Sequence, residues 1–168
     1  MILEMNDWIF DIDLKKTMKR YAQEAADHCD CAYCRNFYEA MYIYMPQLSP
    51  FLAQFGVHAE APDMLCPYDV NKDKMWYEGE YVVFGSIIQV GKHSLRCDEA
   101  ELFRIDVATD DEYDLPQPYF VLSLNSAELP WILEEPMEEV VSPANDPSFL
   151  DLMWERLLKK APESELNS

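Results

Sequence analysis

The sequence predicts an α+β fold in which N-terminal helices and a C-terminal helix pack on an antiparallel β-sheet or a small sandwich. Three observations carry this prediction: helical periodicity of apolar residues in the first third, β-branched and aromatic runs in the middle, and an amphipathic segment near the end. Because the predicted strands follow one another without intervening helices, we expect them to pair antiparallel.

The length of 168 residues predicts a single domain spanning 1–168. Its helical region covers residues 1–60, its β-rich region covers 75–135, and its last helix covers 146–160. A composition that is 49% hydrophobic and 13% aromatic supplies enough apolar surface for a core and excludes a disordered chain.

Three N-terminal helices are predicted from periodicity and end signals. The first runs from residue 14 to 25, with Asp13 as its cap, and the second runs from 31 to 45, before Pro46. The third covers 49–56, where Ser49 is the expected N-cap and Gly56 suits a left-handed C-terminal residue.

The second helix is apolar on most of its circumference, which indicates a central position or a covering partner. One stripe is expected to enter the core: Phe37, Met41 and Tyr44. The other stripe is a candidate interface, for a partner or for a homodimer: Tyr38, Tyr42 and Met45.

Strands are predicted over 75–91, 103–107 and 119–125, while the Pro- and Asp-bearing stretch 63–73 resembles a loop. Gly85 inside the first strand suggests a bulge or a close backbone approach. The last helix is expected to be capped by Asp146. The predicted core includes Phe37, Met41, Val83, Ile87, Ile105, Phe120, Leu122 and Trp154.

Charge narrows the classes of partner. The chain has 13 Lys and Arg against 32 Asp and Glu, a net charge of −19, and the acids concentrate in residues 98–140. Such a surface repels nucleic acids and anionic membranes, whereas a basic protein would complement it. Neither a secretory signal nor a transmembrane run is recognisable, so we expect a cytoplasmic protein with reduced cysteines.

The sequence HCDCAYCRN, residues 28–36, is the segment richest in chemistry. As a metal site, Cys29, Cys31 and Cys34 supply three soft ligands suited to zinc and need a fourth. Candidates for the fourth ligand are His28, His58, Cys66 and Cys97.

Two other interpretations of these cysteines stay open. Cys31 and Cys34 form a CxxC pair that Asp30 could cap at a helix N-terminus, where the helix and Arg35 would favour thiolate and redox chemistry. Alternatively, Cys34 is a small core residue and the other cysteines are incidental. The four glycines are too widely spaced for dinucleotide- or phosphate-binding loops, and no catalytic residues stand out.

Four segments in order, CDCAYCRNFYEA, PFLAQFGV, WYEGEYVVFGSIIQVG and LPWILEEP, resemble a family of small bacterial cytosolic proteins with a CxCxxCRN motif. The resemblance covers roughly residues 29–136. It implies a bacterial, intracellular, single-domain protein and no particular activity or ligand.

The leading functional hypothesis from the sequence is a non-enzymatic interaction module, such as an inhibitor, immunity-type protein or adaptor, that presents the acidic residues 98–140 to a basic protein. The alternative is a zinc-binding or thiol-redox protein that uses Cys29, Cys31 and Cys34.

Overall fold

The computed structural model describes residues 1–24, 29–97, 104–109 and 113–137. The elements in chain order are β1 (Ile2–Met5), β2 (Trp8–Ile12), α1 (Leu14–Glu24), α2 (Ala32–Tyr44), α3 (Leu48–Ala53), β3 (Met64–Asn71), β4 (Lys74–Gln89), β5 (Arg104–Ala108) and β6 (Tyr119–Pro130). All pairs between these strands are antiparallel. The predicted α+β class is therefore confirmed.

The 16-residue strand β4 organises the sheet. The strand order is β1-β2-β4-β6-β5, and β3 also pairs with β4. The N-terminal half of β4 lies between β3 and β6, while its last residues pair with β2. Every strand except β1 and β5 thus pairs directly with β4, whose apolar sequence suits this central place.

Two features of the sequence prediction were wrong. Residues 2–12, which were expected within a helical region, form the β1–β2 hairpin, in which Trp8, Phe10 and Ile12 alternate into the core. The predicted loop 63–73 contains strand β3 instead. Pro67 is tolerated there because β3 pairs on one side only, so its missing N–H can fall on the free edge.

The three predicted helices are present, but α3 ends at Ala53 rather than near residue 56, and its N-cap differs from the prediction. Asp13 accepts a hydrogen bond from the Lys16 backbone N–H (3.0 Å), as an N-cap should. The N-cap of α3 is Gln47 rather than Ser49, because the Gln47 carbonyl already accepts the N–H of Phe51. Gly56 has the expected positive φ of 79°. None of the helices within the described residues is long and apolar enough to cross a bilayer.

Buried polar contacts attach α1 to β4. The Asp63 carboxylate accepts hydrogen bonds from the Tyr21 hydroxyl (2.6 Å) and the Val82 N–H (2.8 Å), and it forms an ion pair with Arg20. Burial, followed by the charge of Asp63, raises the pKa of Tyr21 well above its usual range. The hydroxyl therefore stays protonated and keeps donating to the carboxylate.

The predicted core is largely confirmed. Six of the expected side chains are buried: Phe37, Met41, Val83, Ile105, Phe120 and Leu122. Ile87 is only partly buried, because β6 ends its pairing at Phe84 and leaves the following residues of β4 less covered. Trp154, the Asp146 cap and the predicted helix 146–160 lie outside the described residues, so the single-domain organisation of the whole chain stays a prediction.

Gly85 confirms the expected close backbone approach. Its φ is +142°, and a Cβ built there would lie 2.2 Å from the Asp11 carbonyl oxygen. Strand β2 pairs with β4 at this point. Gly79, in the same strand, has no atom nearer than 3.6 Å to such a Cβ.

We predict that Gly85→Ala lowers the free energy of unfolding by about 3 kcal/mol, since it combines backbone strain with a clash that only movement of β2 can relieve. Urea denaturation measures the change. Gly79→Ala is the matched control and should shift the midpoint much less. Equal midpoints for the two variants would contradict the proposed backbone contact.

Candidate metal centre

The first turn of α2 brings three sulfur atoms together. The Sγ atoms of Cys29, Cys31 and Cys34 all lie within 4.8 Å of one another. Cys31 is the N-cap, with extended φ and ψ of −69° and 156°, and its carbonyl accepts the Arg35 N–H at 3.0 Å. One helical turn places Cys34 on the same side of α2 as Cys31. The extended backbone before the helix places Cys29 on that side as well.

The cluster opens to solvent on one side. Cys29 and Cys31 are exposed, whereas Cys34 is buried against the sheet. A metal ion could therefore reach the two outer sulfurs without opening the fold, while the inner sulfur is held by the core.

The surroundings shift the pKa values of the Cys29 and Cys34 thiols in opposite directions. The backbone N–H of Cys31 is the main cause that lowers the pKa of the Cys29 thiol, and hydrogen bonds from the thiols of Cys31 and Cys34 lower it further. Burial is the main cause that raises the pKa of Cys34.

The predicted N-cap of α2 was wrong. Cys31 rather than Asp30 occupies the N-cap position, and no side chain caps the helix there.

The candidates for a fourth ligand lie elsewhere or outside the described residues. Cys66 lies on β3 opposite Glu78, and the Cys97 thiol donates to the Gln47 carbonyl at 3.1 Å. His58 stacks on Tyr21. Among the described residues the cluster has three members, and His28 is outside them.

A buried amide fixes α2 below the cluster. The Asn36 side chain donates to the Tyr77 hydroxyl and to the Pro130 carbonyl, both at 3.1 Å, and its Oδ1 accepts the Ile132 N–H at 2.8 Å. The Tyr77 hydroxyl donates in turn to the Tyr33 carbonyl at 2.9 Å. This role was not predicted from the sequence, although one Asn in an otherwise apolar helix face was a usable signal.

Arg35 joins the loop of the cluster to the chain after β6. Its Nε donates to the Asp30 carbonyl (3.2 Å) and lies 3.6 Å from the Asp30 carboxylate, while its Nη2 lies 2.5 Å from Glu135 Oε1. Asp30 stands between two of the cysteines. The guanidinium therefore restrains the residue that links Cys29 to Cys31.

The predicted stripes of α2 need correction. Met45 is buried and Tyr44 is 46% exposed, the reverse of their assignment. Tyr38 is half-buried beside the cluster, where it hydrogen-bonds with the Cys34 thiol and where burial raises its pKa. Tyr42 is exposed, with its hydroxyl bonded to Glu60 at 2.7 Å. Whether Tyr38 and Tyr42 contribute to an interface or homodimer stays a prediction.

Fold and site together define an α+β protein with a solvent-facing cluster of three cysteines on a helix N-terminus. No protein-family model, curated protein or solved structure matches the chain. The resemblance through the CxCxxCRN motif therefore stays a prediction, and the chemistry of the cluster has to be argued from its own residues.

We predict that, in chelator-treated protein at neutral pH, Cys29 is the first of the three cysteines to be alkylated and Cys34 the last, slower by at least about tenfold. A lowered pKa gives Cys29 more reactive thiolate, whereas burial keeps Cys34 protonated and inaccessible. Time-resolved iodoacetamide labelling followed by peptide mass spectrometry measures the order. Labelling of Cys34 at the rate of Cys29 would contradict the described geometry.

We also predict that Asn36→Ala lowers the free energy of unfolding by about 3 kcal/mol, because it leaves buried donors and acceptors without their partner. Asn71→Ala is the control, since Asn71 accepts a single exposed hydrogen bond in the β3–β4 turn. Thermal or urea denaturation compares them. If Asn71→Ala lowered the free energy of unfolding as much as Asn36→Ala, the stabilising role of the buried Asn36 hydrogen bonds would be contradicted.

Proposed function

We propose that this protein binds zinc through Cys29, Cys31 and Cys34. The observation that carries the proposal is the convergence of the three sulfur atoms to within 4.8 Å. Zn–S bonds of about 2.3 Å place tetrahedral sulfur ligands about 3.8 Å apart. Small side-chain movements would bring these sulfurs to that spacing.

The electrostatics around the cluster support a cation bound by thiolates. Three thiolates and one Zn²⁺ leave a net charge of −1, and the helix N-terminus, whose Cys31 N–H already lowers the pKa of Cys29, stabilises negative charge there. The high acidity of the chain as a whole also favours the approach of cations.

The fourth zinc ligand would come from the exposed side of the cluster. His28 precedes Cys29 in the sequence and is the protein ligand that we propose, with a water molecule as the alternative. A fourth protein ligand would make a closed structural site, whereas a water would leave an exchangeable position.

A thiol-redox function is the second candidate, because the Cys29 thiol with its lowered pKa lies within reach of both other sulfurs. Formation of a disulfide within the cluster, with loss of two thiol protons and two electrons to an external oxidant, would compete with metal binding. Metal analysis separates the two functions.

The interaction with a basic protein stays a prediction. Where the structure describes residues 98–140, several acids have partners inside the chain. Asp106 accepts hydrogen bonds from Ser94 (2.6 Å) and Asn125 (2.7 Å), and Glu128 pairs with Lys74 at 2.5 Å. The Lys74 ion pair offsets one negative charge of this segment, whereas the neutral Ser94 and Asn125 side chains orient Asp106 without removing its charge.

We predict that protein purified without chelator contains about one equivalent of zinc. Cys29→Ser should lower zinc affinity by more than about a hundredfold, because losing a residue that only hydrogen-bonds to a metal ligand can already cost that much. Affinity should fall as the pH is lowered, because protons compete for the thiolates. Elemental analysis and competition with a chromophoric chelator measure both effects.

Cys66→Ser is the matched control, because Cys66 lies outside the cluster, and it should retain the metal. Zinc-free wild-type protein that also fails to bind added zinc under reducing conditions would overturn the proposal. A disulfide among the three cysteines in that protein would favour the redox function.

A further inference from the structure

The residues after β6 are attached to the helix that carries the cysteine cluster. This stretch, residues 131–137, has no regular secondary structure and is partly buried. Its Ile132 N–H binds the Asn36 side chain at 2.8 Å, and the Trp131 ring lies edge-on to Tyr33 with centroids 5.9 Å apart. Trp131 Nε1 donates to the Glu135 carbonyl at 2.8 Å, which folds the stretch back on itself.

Arg35 contacts this stretch and the cluster loop at the same time. Its guanidinium reaches Glu135 through Nη2 and Asp30 through Nε. Because a guanidinium is planar and rigid, fixing one edge also orients the donors on the other edge. The position of Asp30 and the strength of the Glu135 contact are therefore coupled.

We propose that metal occupancy of the cysteine cluster and attachment of residues 131–137 are linked through Arg35. The proposal rests on the zinc-binding function above and adds a form of regulation to it. Zinc would strengthen the attachment of this stretch, and the attached stretch would raise zinc affinity by the same factor, as linkage requires.

The physical basis is the ordering of a short exposed loop. Cys29 and Cys31 flank Asp30, so an ion held by both sulfurs fixes the Asp30 carbonyl relative to α2. Without the ion, these exposed residues keep more conformational freedom, and Arg35 must order them when it binds Glu135. Zinc binding and formation of the Arg35–Glu135 contact both order this loop, so whichever forms first reduces the entropy loss of the other.

The solvent exposure of the Arg35–Glu135 ion pair limits how strongly zinc binding and attachment of residues 131–137 can be coupled. The side chains of Arg35 and Glu135 are 39% and 43% exposed, so water and salt weaken their interaction. We expect a coupling of about three- to fivefold in affinity, at or just below the low end of typical allosteric values.

The test uses the full chain with zinc as the only added ligand. Glu135→Gln should weaken zinc binding about three- to fivefold in chelator competition. Glu128→Gln is the control, because it removes the same charge from a salt bridge of the same length, 2.5 Å to Lys74, and it should leave zinc affinity unchanged. An unchanged affinity in Glu135→Gln would overturn the linkage.

Hydrogen exchange separates the linkage from a purely electrostatic effect of Glu135 on the ion. Zinc should slow amide exchange in residues 131–137 of the wild type about three- to fivefold and have less effect in Glu135→Gln. Exchange that is insensitive to zinc, in protein that binds zinc, would overturn the linkage alone. Failure of the wild type to bind zinc would overturn the proposed function and, with it, the linkage.

Discussion

The side-chain amide of Asn36 is the contact on which the arrangement of the cysteine cluster depends. It is fully buried, so both its donor and its acceptor must find partners within the protein. Those partners belong to β4 and to the chain at and beyond the end of β6. Rotating or sliding α2 would break them together, and the position of the first helical turn relative to the sheet is therefore specified by hydrogen bonds as well as by apolar packing.

This contact gives the CRN portion of the motif a structural meaning. Cys34 supplies a sulfur from the buried face of the helix, Arg35 restrains the preceding loop, and Asn36 fixes the helix to the sheet. Three consecutive residues thus point in different directions around one turn, as helical geometry requires. The metal site that we propose would be preorganised by neighbours that never touch the ion.

Much of the fold was predictable because periodicity is a local property. Three helices and the strand around Val83 followed from residue spacing and end signals, and so did the close approach at Gly85. The hairpin at 2–12 was missed because its alternating residues are few, and β3 was missed because Pro67 and its acids resemble a loop. Strands β2 and β3 both pair with β4, and no local pattern in the sequence reveals that pairing.

The site was predictable to the same extent. The spacing of Cys31 and Cys34 was sufficient to bring them together, because a helical turn brings residues three apart onto one side, and Cys29 follows from the extended residues before the helix. The contacts of Asn36 with Pro130 and of Arg35 with Glu135 were not predictable, since they join residues that are distant in the sequence. Their partners become apparent only when β6 has been placed beside β4.

The way β4 is shared has a consequence for biosynthesis. Phe10 on β2 pairs with Ile87, near the end of β4, so the ribosome completes the hairpin long before it makes the strand that receives it. Until then Trp8, Phe10 and Ile12 present their apolar side chains to water. Because contacts between distant residues form slowly, and exposed apolar strands promote mispairing, burial of this face has to wait until β4 is available.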